Sequence, residues 1–303
     1  MNRREFVVAT TGTVLAGRAP ATPPPSGQFI KSITATIFPD SMPYAECFRQ
    51  AKNAGFEGVE IQMGREVTLT SPPDQVKRVG EAARQAGVAI ASMWVSQPLA
   101  KNPLNSPDPE ARARGVEAIG KAIELATYLG CGALLLYPGR LGTGPRFEVG
   151  YETTWERFTV ELKKLIPAAE KARVLLTPEN VWNKFLVSPL EMRAFVDQFH
   201  SPWLQTHFDI GNVMQYGFPQ DWILTLGPRI KRVHVKDYKL STRDEQGRFV
   251  NLWEGDVNWR EVMAAFVKVG YRGFLSPEVG HDPNDPDLLQ KTSQALDKIL
   301  ALA

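Results

Sequence analysis

Four side chains in the second half of the chain, Glu179, Asp209, His234 and Glu278, are of the types that hold metal ions or move protons. Each sits at or near the end of a short run. Phe208 and Ile210 alternate with His207 and Asp209, and Val233 and Val235 alternate with Arg232, His234 and Lys236. Leu275 and Val279 alternate with Ser276 and Glu278, and a fourth run ends Leu175-Leu176-Thr177-Pro178-Glu179. Side chains of a strand point to opposite faces with period two, so one face of each run is apolar and the other polar. If both faces are buried, unpaired charges there cost several kcal/mol each, and something must compensate them. Three carboxylates and one imidazole form an oxygen-rich donor set that suits Mn²⁺, Mg²⁺ or Co²⁺, with Zn²⁺ also compatible and thiophilic metals poorly matched. The alternative is an ion-pair network with Arg232 or Lys236; Lys236 is expected to pair one carboxylate but not three, which favours a metal.

The elements that would position these residues alternate from residue 29 onward. Strand-like runs fall at Ile33–Phe38, Gly58–Gln62, Val88–Val95, Ala133–Tyr137, Val174–Glu179, Gln205–Ile210, Arg232–Lys236 and Gly273–Val279. Between them apolar residues recur every three or four positions, as in Val116, Ile119, Ile123 and Ala126, or Trp155, Phe158, Leu162, Leu165 and Ala169. Gly130 is placed to end the first of these helices, and Ala54-Gly55-Phe56, Ala86-Gly87-Val88 and Val269-Gly270-Tyr271 join helices to strands. Eight β-then-α units in roughly 275 residues predict one (β/α)8 TIM barrel over residues 29–303. An open doubly wound sheet is the alternative. It is disfavoured because Phe38-Pro39-Asp40-Ser41-Met42-Pro43, after the first strand, contains no glycine-rich phosphate loop. In a barrel the four candidate residues lie near the C-terminal strand ends, where barrels carry their active sites.

Composition narrows the partners. With 35 basic and 33 acidic residues the chain offers no electrostatic footprint for nucleic acid or an anionic membrane. No stretch approaches the length and apolarity of a membrane span. The two cysteines, Cys47 and Cys131, read as small buried hydrophobes. At the N-terminus, Arg3-Arg4 precede a mildly apolar run from Val7 to Gly17, then Ala19-Pro20-Ala21 and the prolines 23–25. That order predicts a twin-arginine export signal over 1–21, a tether over 22–28 and a periplasmic or exported mature protein, or a cytoplasmic one if the signal does not function. Removing 1–21 takes away three arginines and one glutamate, leaving 32 basic and 32 acidic residues. Net charge would then not recruit the substrate. Assembly into a homo-oligomer is left open.

The segments Pro178-Glu179-Asn180-Val181-Trp182-Asn183-Lys184-Phe185, His207-Phe208-Asp209-Ile210-Gly211-Asn212, Arg232-Val233-His234-Val235-Lys236-Asp237, Glu254-Gly255-Asp256-Val257-Asn258-Trp259 and Ser276-Pro277-Glu278-Val279 carry a resemblance. Over essentially the whole chain after the tether, they resemble the xylose isomerase-like sugar isomerase/epimerase family, and within it the hexulose-6-phosphate isomerase and L-xylulose 5-phosphate 3-epimerase groups. The resemblance implies one divalent ion, often manganese, held by Glu179, Asp209, His234 and Glu278, and proton transfer by Glu179 and Glu278. Two positions depart from the tagatose 3-epimerase branch, which has a second glutamate near Leu186 and a histidine where Asn212 stands. These departures bear on the substrate rather than on the metal.

The chemistry expected is isomerisation or epimerisation of a ketose or ketose derivative, a small-molecule sugar, by proton transfer through a metal-stabilised enediolate. Candidate substrate contacts are Lys236, His207, Glu60, Asn212, Trp94, Tyr137 and Trp253, with Trp94 and Tyr137 as an apolar wall and Trp253 as a cap. For Lys236 an ion-pair role, for His207 a packed supporting role, and for Glu60 a buried polar network are the competing readings. Two other functions stay in play: a 3-keto-glycoside lyase using the same metal for β-elimination, and a metal-dependent sugar-binding protein without turnover.

Overall fold

The computed structural model describes residues 29–143 and 145–303; the expected signal and tether lie outside the described residues. The strands are β1 (Phe29–Thr34), β2 (Gly58–Gln62), β3 (Ala89–Trp94), β4 (Ala133–Leu136), β5 (Leu175–Pro178), β6 (Thr206–Asp209), β7 (Ile230–Val235) and β8 (Gly273–Pro277). All pair in parallel in the order β5-β4-β3-β2-β1-β8-β7-β6. Bridges between Leu176 and Leu204 and between Glu179 and His207 join the two ends, so the sheet curls into a barrel rather than an open sheet. The major helices are α1 (Tyr44–Asn53), α2 (Pro73–Ala86), α3 (Pro109–Leu129), α4 (Tyr151–Ala172), α5 (Pro189–Asp197), α6 (Pro219–Leu226), α7 (Trp259–Lys268) and α8 (Leu288–Leu300).

The apolar face of each strand meets the helix layer. Ile33, Val59, Leu134, Leu176, Phe208, Val233 and Leu275 form one core with Phe48, Val79, Ile119, Leu162, Phe195, Ile223, Phe266 and Leu296. Burying each such side chain stabilises the fold by about 1.5–3 kcal/mol. Side chains of Asp108, Ser188 and Asn258 accept the orphan N–H groups that open α3, α5 and α7. Both cysteines are free and buried. Among the described residues no helix is long and apolar enough to cross a membrane.

The first strand departs most from expectation; the others begin and end within two residues of it. Strand β1 runs from Phe29 to Thr34, not Ile33 to Phe38, because Phe29–Lys31 pair with β8 and Ser32–Thr34 with β2. Ala35–Ile37 form a tight 3-10 turn, and burial of Ala35, Ile37 and Phe38 gives this turn the apolar look of a strand.

Candidate metal centre

The polar face of the last four strands turns into the barrel. Asp209 ends β6 and His234 lies in β7, while Glu179 and Glu278 each follow the last residue of β5 and β8. Their potential ligand atoms all lie within 4.8 Å of one another. His234 Nδ1 stands 3.0 Å from Glu179 Oε1, 3.0 Å from Glu278 Oε2 and 3.6 Å from Asp209 Oδ2. Two atoms bound to one ion at about 2.1 Å are themselves about 3 Å or a little more apart, so these spacings suit a shared cation. Glu179, Asp209 and His234 are buried and Glu278 keeps 23% of its side chain exposed, so the cluster opens on the Glu278 side.

Neighbouring backbone fixes the cluster. The Asn180 amide donates to Asp209 O at 2.9 Å and its carbonyl oxygen accepts from Asp209 N at 2.8 Å. Asn212 N donates to Asp209 Oδ1 at 2.8 Å, and the Asn212 side chain donates to Asn180 O. Asp209 is thus oriented through one oxygen. Its other oxygen, Oδ2, is buried without a well-directed hydrogen bond, although Lys236 Nζ stands 2.9 Å away. An incompletely satisfied buried carboxylate oxygen facing three other donors is what a hard divalent ion would complete.

The electrostatics are those of a crowded anionic site. Burial pushes the Glu179 carboxyl up, with Asp209 and Glu278 adding to the rise and His234 opposing it. Burial acts the same way on Glu278, but His234 and Lys236 outweigh it and hold that carboxyl low. For His234, burial favours the neutral ring and the surrounding Glu60, Glu179 and Glu278 overcome it, so its affinity for a proton is raised. Lys236 pairs with two carboxylates, Asp209 at 2.9 Å and Glu278 at 2.6 Å, where one partner was expected. Its stem lets a single ammonium sit between the ends of β6 and β8.

The other sequence-predicted residues separate into two groups. Tyr137 is half-buried near Trp94, and Glu179 and Glu278 help burial to keep its phenol protonated. Glu60 and His207 are buried beside His234, with exposures of 1% and 0%. Glu60 accepts from Ser92 and from the Trp94 indole N–H, and its Oε1 lies 2.6 Å from His234 Nε2. Trp94 therefore touches both Glu60 and the His234 ring. Asn212 is committed to Asn180 and Asp209. Trp253 does not cap the cluster: its indole N–H donates to Ala295 O on α8, which draws the ring to the outer layer.

Sequence reasoning passed over several residues. Asn180 follows the Glu179 position directly and was legible as a short polar residue at a strand end. Asp237 accepts from the N–H groups of Tyr238, Trp253, Gly255 and Val257 and from the Trp259 indole, pinning the segment between β7 and α7. A side chain at Gly255 would place its Cβ 2.1 Å from Asp237 Oδ1, so only glycine fits this loop. Trp182 and Phe249 stack at 4.9 Å, both more than 40% exposed, and Lys236 Nζ lies 5.1 Å from the Phe249 ring centre. Phe249 belongs to a hairpin (Asp237–Lys239 with Arg248–Val250) whose sequence carries no signal of proximity to the cluster.

The model of the xylose isomerase-like TIM barrel family matches residues 48–299. The chain belongs to that family. L-ribulose-5-phosphate 3-epimerase UlaE of Salmonella paratyphi C is 29% identical over 254 residues, covering 80% of this chain and 86% of the relative. A crystal structure of D-psicose 3-epimerase with D-fructose superimposes with a TM-score of 0.75 at 16% identity, covering 90% of this chain and 99% of that one. The 3-keto-D-glucoside 4-epimerase YcjR from E. coli gives 0.70 at 14% identity, covering 91% and 100%. At these identities the two structures speak for the shared barrel.

Proposed function

We propose that this family member is a divalent-metal-dependent sugar epimerase or isomerase that moves a proton at a carbon next to the carbonyl of a ketose or ketose derivative. The observation that carries this reading is the convergence of Glu179, Asp209, His234 and Glu278 from four consecutive strands within 4.8 Å. The name of the UlaE relative supports it independently. Glu179, Asp209, His234 and Glu278 would hold the ion; the oxygen-rich set favours Mn²⁺, with Mg²⁺, Co²⁺ and Zn²⁺ as alternatives. When bound, such an ion supplies Lewis-acid polarisation of a carbonyl and stabilises the negative charge that develops as the neighbouring C–H bond loses its proton.

The protein's own groups would carry the proton. Glu179 and Glu278 are separated around the barrel by β6 and β7, so they approach a sugar in the mouth from different sides. One removes a proton and the other delivers one; delivery to the opposite face of the same carbon inverts it, and delivery to the neighbouring carbon, with the hydroxyl proton passing from one oxygen to the other, interconverts aldose and ketose. Lys236, paired with Asp209 and Glu278, would hold a substrate oxygen. Trp182, Phe249 and Tyr137 would offer apolar surface to a sugar ring.

Incubation of the Mn²⁺-loaded protein with ketoses, ketose phosphates and 3-keto-glucosides in deuterated water, followed by NMR, tests the reading. Deuterium at one carbon together with an epimer or isomer is the expected result. A saturable sugar ligand with no exchange at any carbon would reduce the protein to a binding module. The β-elimination alternative draws no support from the relatives, and release of an aglycone in the same tube would restore it.

A further inference from the structure

Beneath the cluster, a second carboxylate touches the histidine from the other side. We propose that Glu60 is a positioning residue that keeps the proton of His234 on Nε2 and thereby leaves Nδ1 free to bind the ion. This role rests on the proposed metal centre and assigns Glu60 a part in it other than substrate contact.

Geometry separates the two nitrogens of His234. Nδ1 faces Glu179, Asp209 and Glu278 at 3.0–3.6 Å, while Nε2 faces Glu60 Oε1 at 2.6 Å. A separation of 2.6 Å is a hydrogen bond to a charged acceptor, and is too short for two ligands of one ion, which stand about 3 Å apart. The Glu60–His234 contact is therefore bridged by a proton, although Glu60, His207 and His234 together could be taken for a second metal cluster. With Nε2 protonated, a neutral His234 must present its lone pair at Nδ1, towards the three carboxylates.

Glu60 is itself locked. Ser92 donates to Oε2 and the Trp94 indole to Oε1. Both donors reach it because β3 carries one extra residue there: Val59 and Ile61 of β2 pair with Ile90 and Met93 of β3. That bulge changes which residues point inward. Ala91 packs with Ile30 and Phe274, while its neighbour Ser92 also turns to the barrel interior and, with Trp94, meets Glu60. The Trp94 ring additionally lies 5.5 Å from the His234 ring, and the His207 ring lies 4.1 Å away on β6, so the imidazole cannot flip without displacing either. A carboxylate buried to 1% exposure, with donors on both oxygens, is a fixed acceptor for Nε2–H.

The test compares native protein with Glu60→Gln and Glu60→Met, using Mn²⁺ titration by electron paramagnetic resonance and thermal melting as a control for folding. Gln keeps an acceptor oxygen; Met keeps the length and removes it. Expected is a loss of Mn²⁺ affinity of about 10- to 100-fold in Glu60→Met, the range seen when a histidine ligand loses its outer partner, with most of the affinity retained in Glu60→Gln. A folded Glu60→Met protein that binds Mn²⁺ as tightly as the native one would overturn the role. Should Glu60→Met not fold, ¹⁵N NMR of the native Zn²⁺-loaded protein decides, with the resonance assigned by His234→Gln. A slowly exchanging proton on His234 Nε2 supports the proposal, and a proton on Nδ1 refutes it. If the native chain takes up neither ion, the metal centre falls and this role with it, an outcome distinct from native-like binding by the variant.

Discussion

The barrel has two halves that are alike outside and unlike inside. In both, outward side chains are apolar and pack on helices, as Ile33, Val59 and Leu134 do in one half and Phe208, Val233 and Leu275 in the other. Within, β1 to β4 contribute one carboxylate, Glu60, which finds donors in Ser92 and Trp94 and a close partner in His234. Strands β5 to β8 bring Glu179, Asp209 and Glu278 together at one end, where Lys236 is the lysine that reaches two of them and Asp209 Oδ2 remains poorly satisfied. The same barrel thus treats buried negative charge in two ways. Where protein donors saturate it, the charge is structural; where they fall short, the proposed cation would complete the set.

Substitutions in the two halves should therefore fail differently. The largest effect is expected from Glu179→Gln and Glu278→Gln, which should each slow deuterium exchange into the sugar by about 10²–10⁴-fold, the usual worth of a positioned acid or base. Exchange at the native rate in either variant would remove that residue from proton transfer. In the other half, Leu134→Ala should destabilise the fold by about 2–5 kcal/mol in urea titration, through a cavity on the helix-facing side of β4. The molecules that remain folded should bind Mn²⁺ normally, and a parallel loss of affinity would break the division between the halves.

Adding Mn²⁺ at a hundred times its Kd should stabilise the native protein by about 2.7 kcal/mol and raise Tm, and a chelator should reverse this. Asp209→Asn should abolish most of the gain; a full gain in that variant would place the ion elsewhere. The smallest effect is expected from Asp237→Asn, which replaces one acceptor oxygen of a carboxylate taking five N–H groups. It should cost about 1–3 kcal/mol by melting, as buried donors lose their partner. Since Asp237 touches the loop and none of the four cluster residues, Mn²⁺ affinity should stay within a few-fold of native.

Much of the barrel was legible because its signals are local. The period-two pattern in β6, β7 and β8 and the three-to-four spacing in α3 and α4 each follow from side-chain geometry within a few residues. The N-terminal strand misled because a buried 3-10 turn, Ala35–Ile37, is as apolar as a strand. Trp253 misled because its place in the chain, between β7 and β8, says nothing about which layer its indole enters; the Ala295 carbonyl decides that.

By itself, the sequence determined which side chains had to be compensated, since a carboxylate or imidazole at a buried strand position carries its cost wherever the strand lies. It also determined that one ammonium, Lys236, stands on the same strand face as His234. What only the tertiary structure decided is how each charge is met. Closure of β5 on β6 brings four distant residues within 4.8 Å, and the extra residue in β3 turns Ser92 and Trp94 onto Glu60. Hydrogen bonds and ion coordination depend on distances of a fraction of an ångström between residues far apart in the chain. No local periodicity encodes those distances; strand register and barrel closure set them.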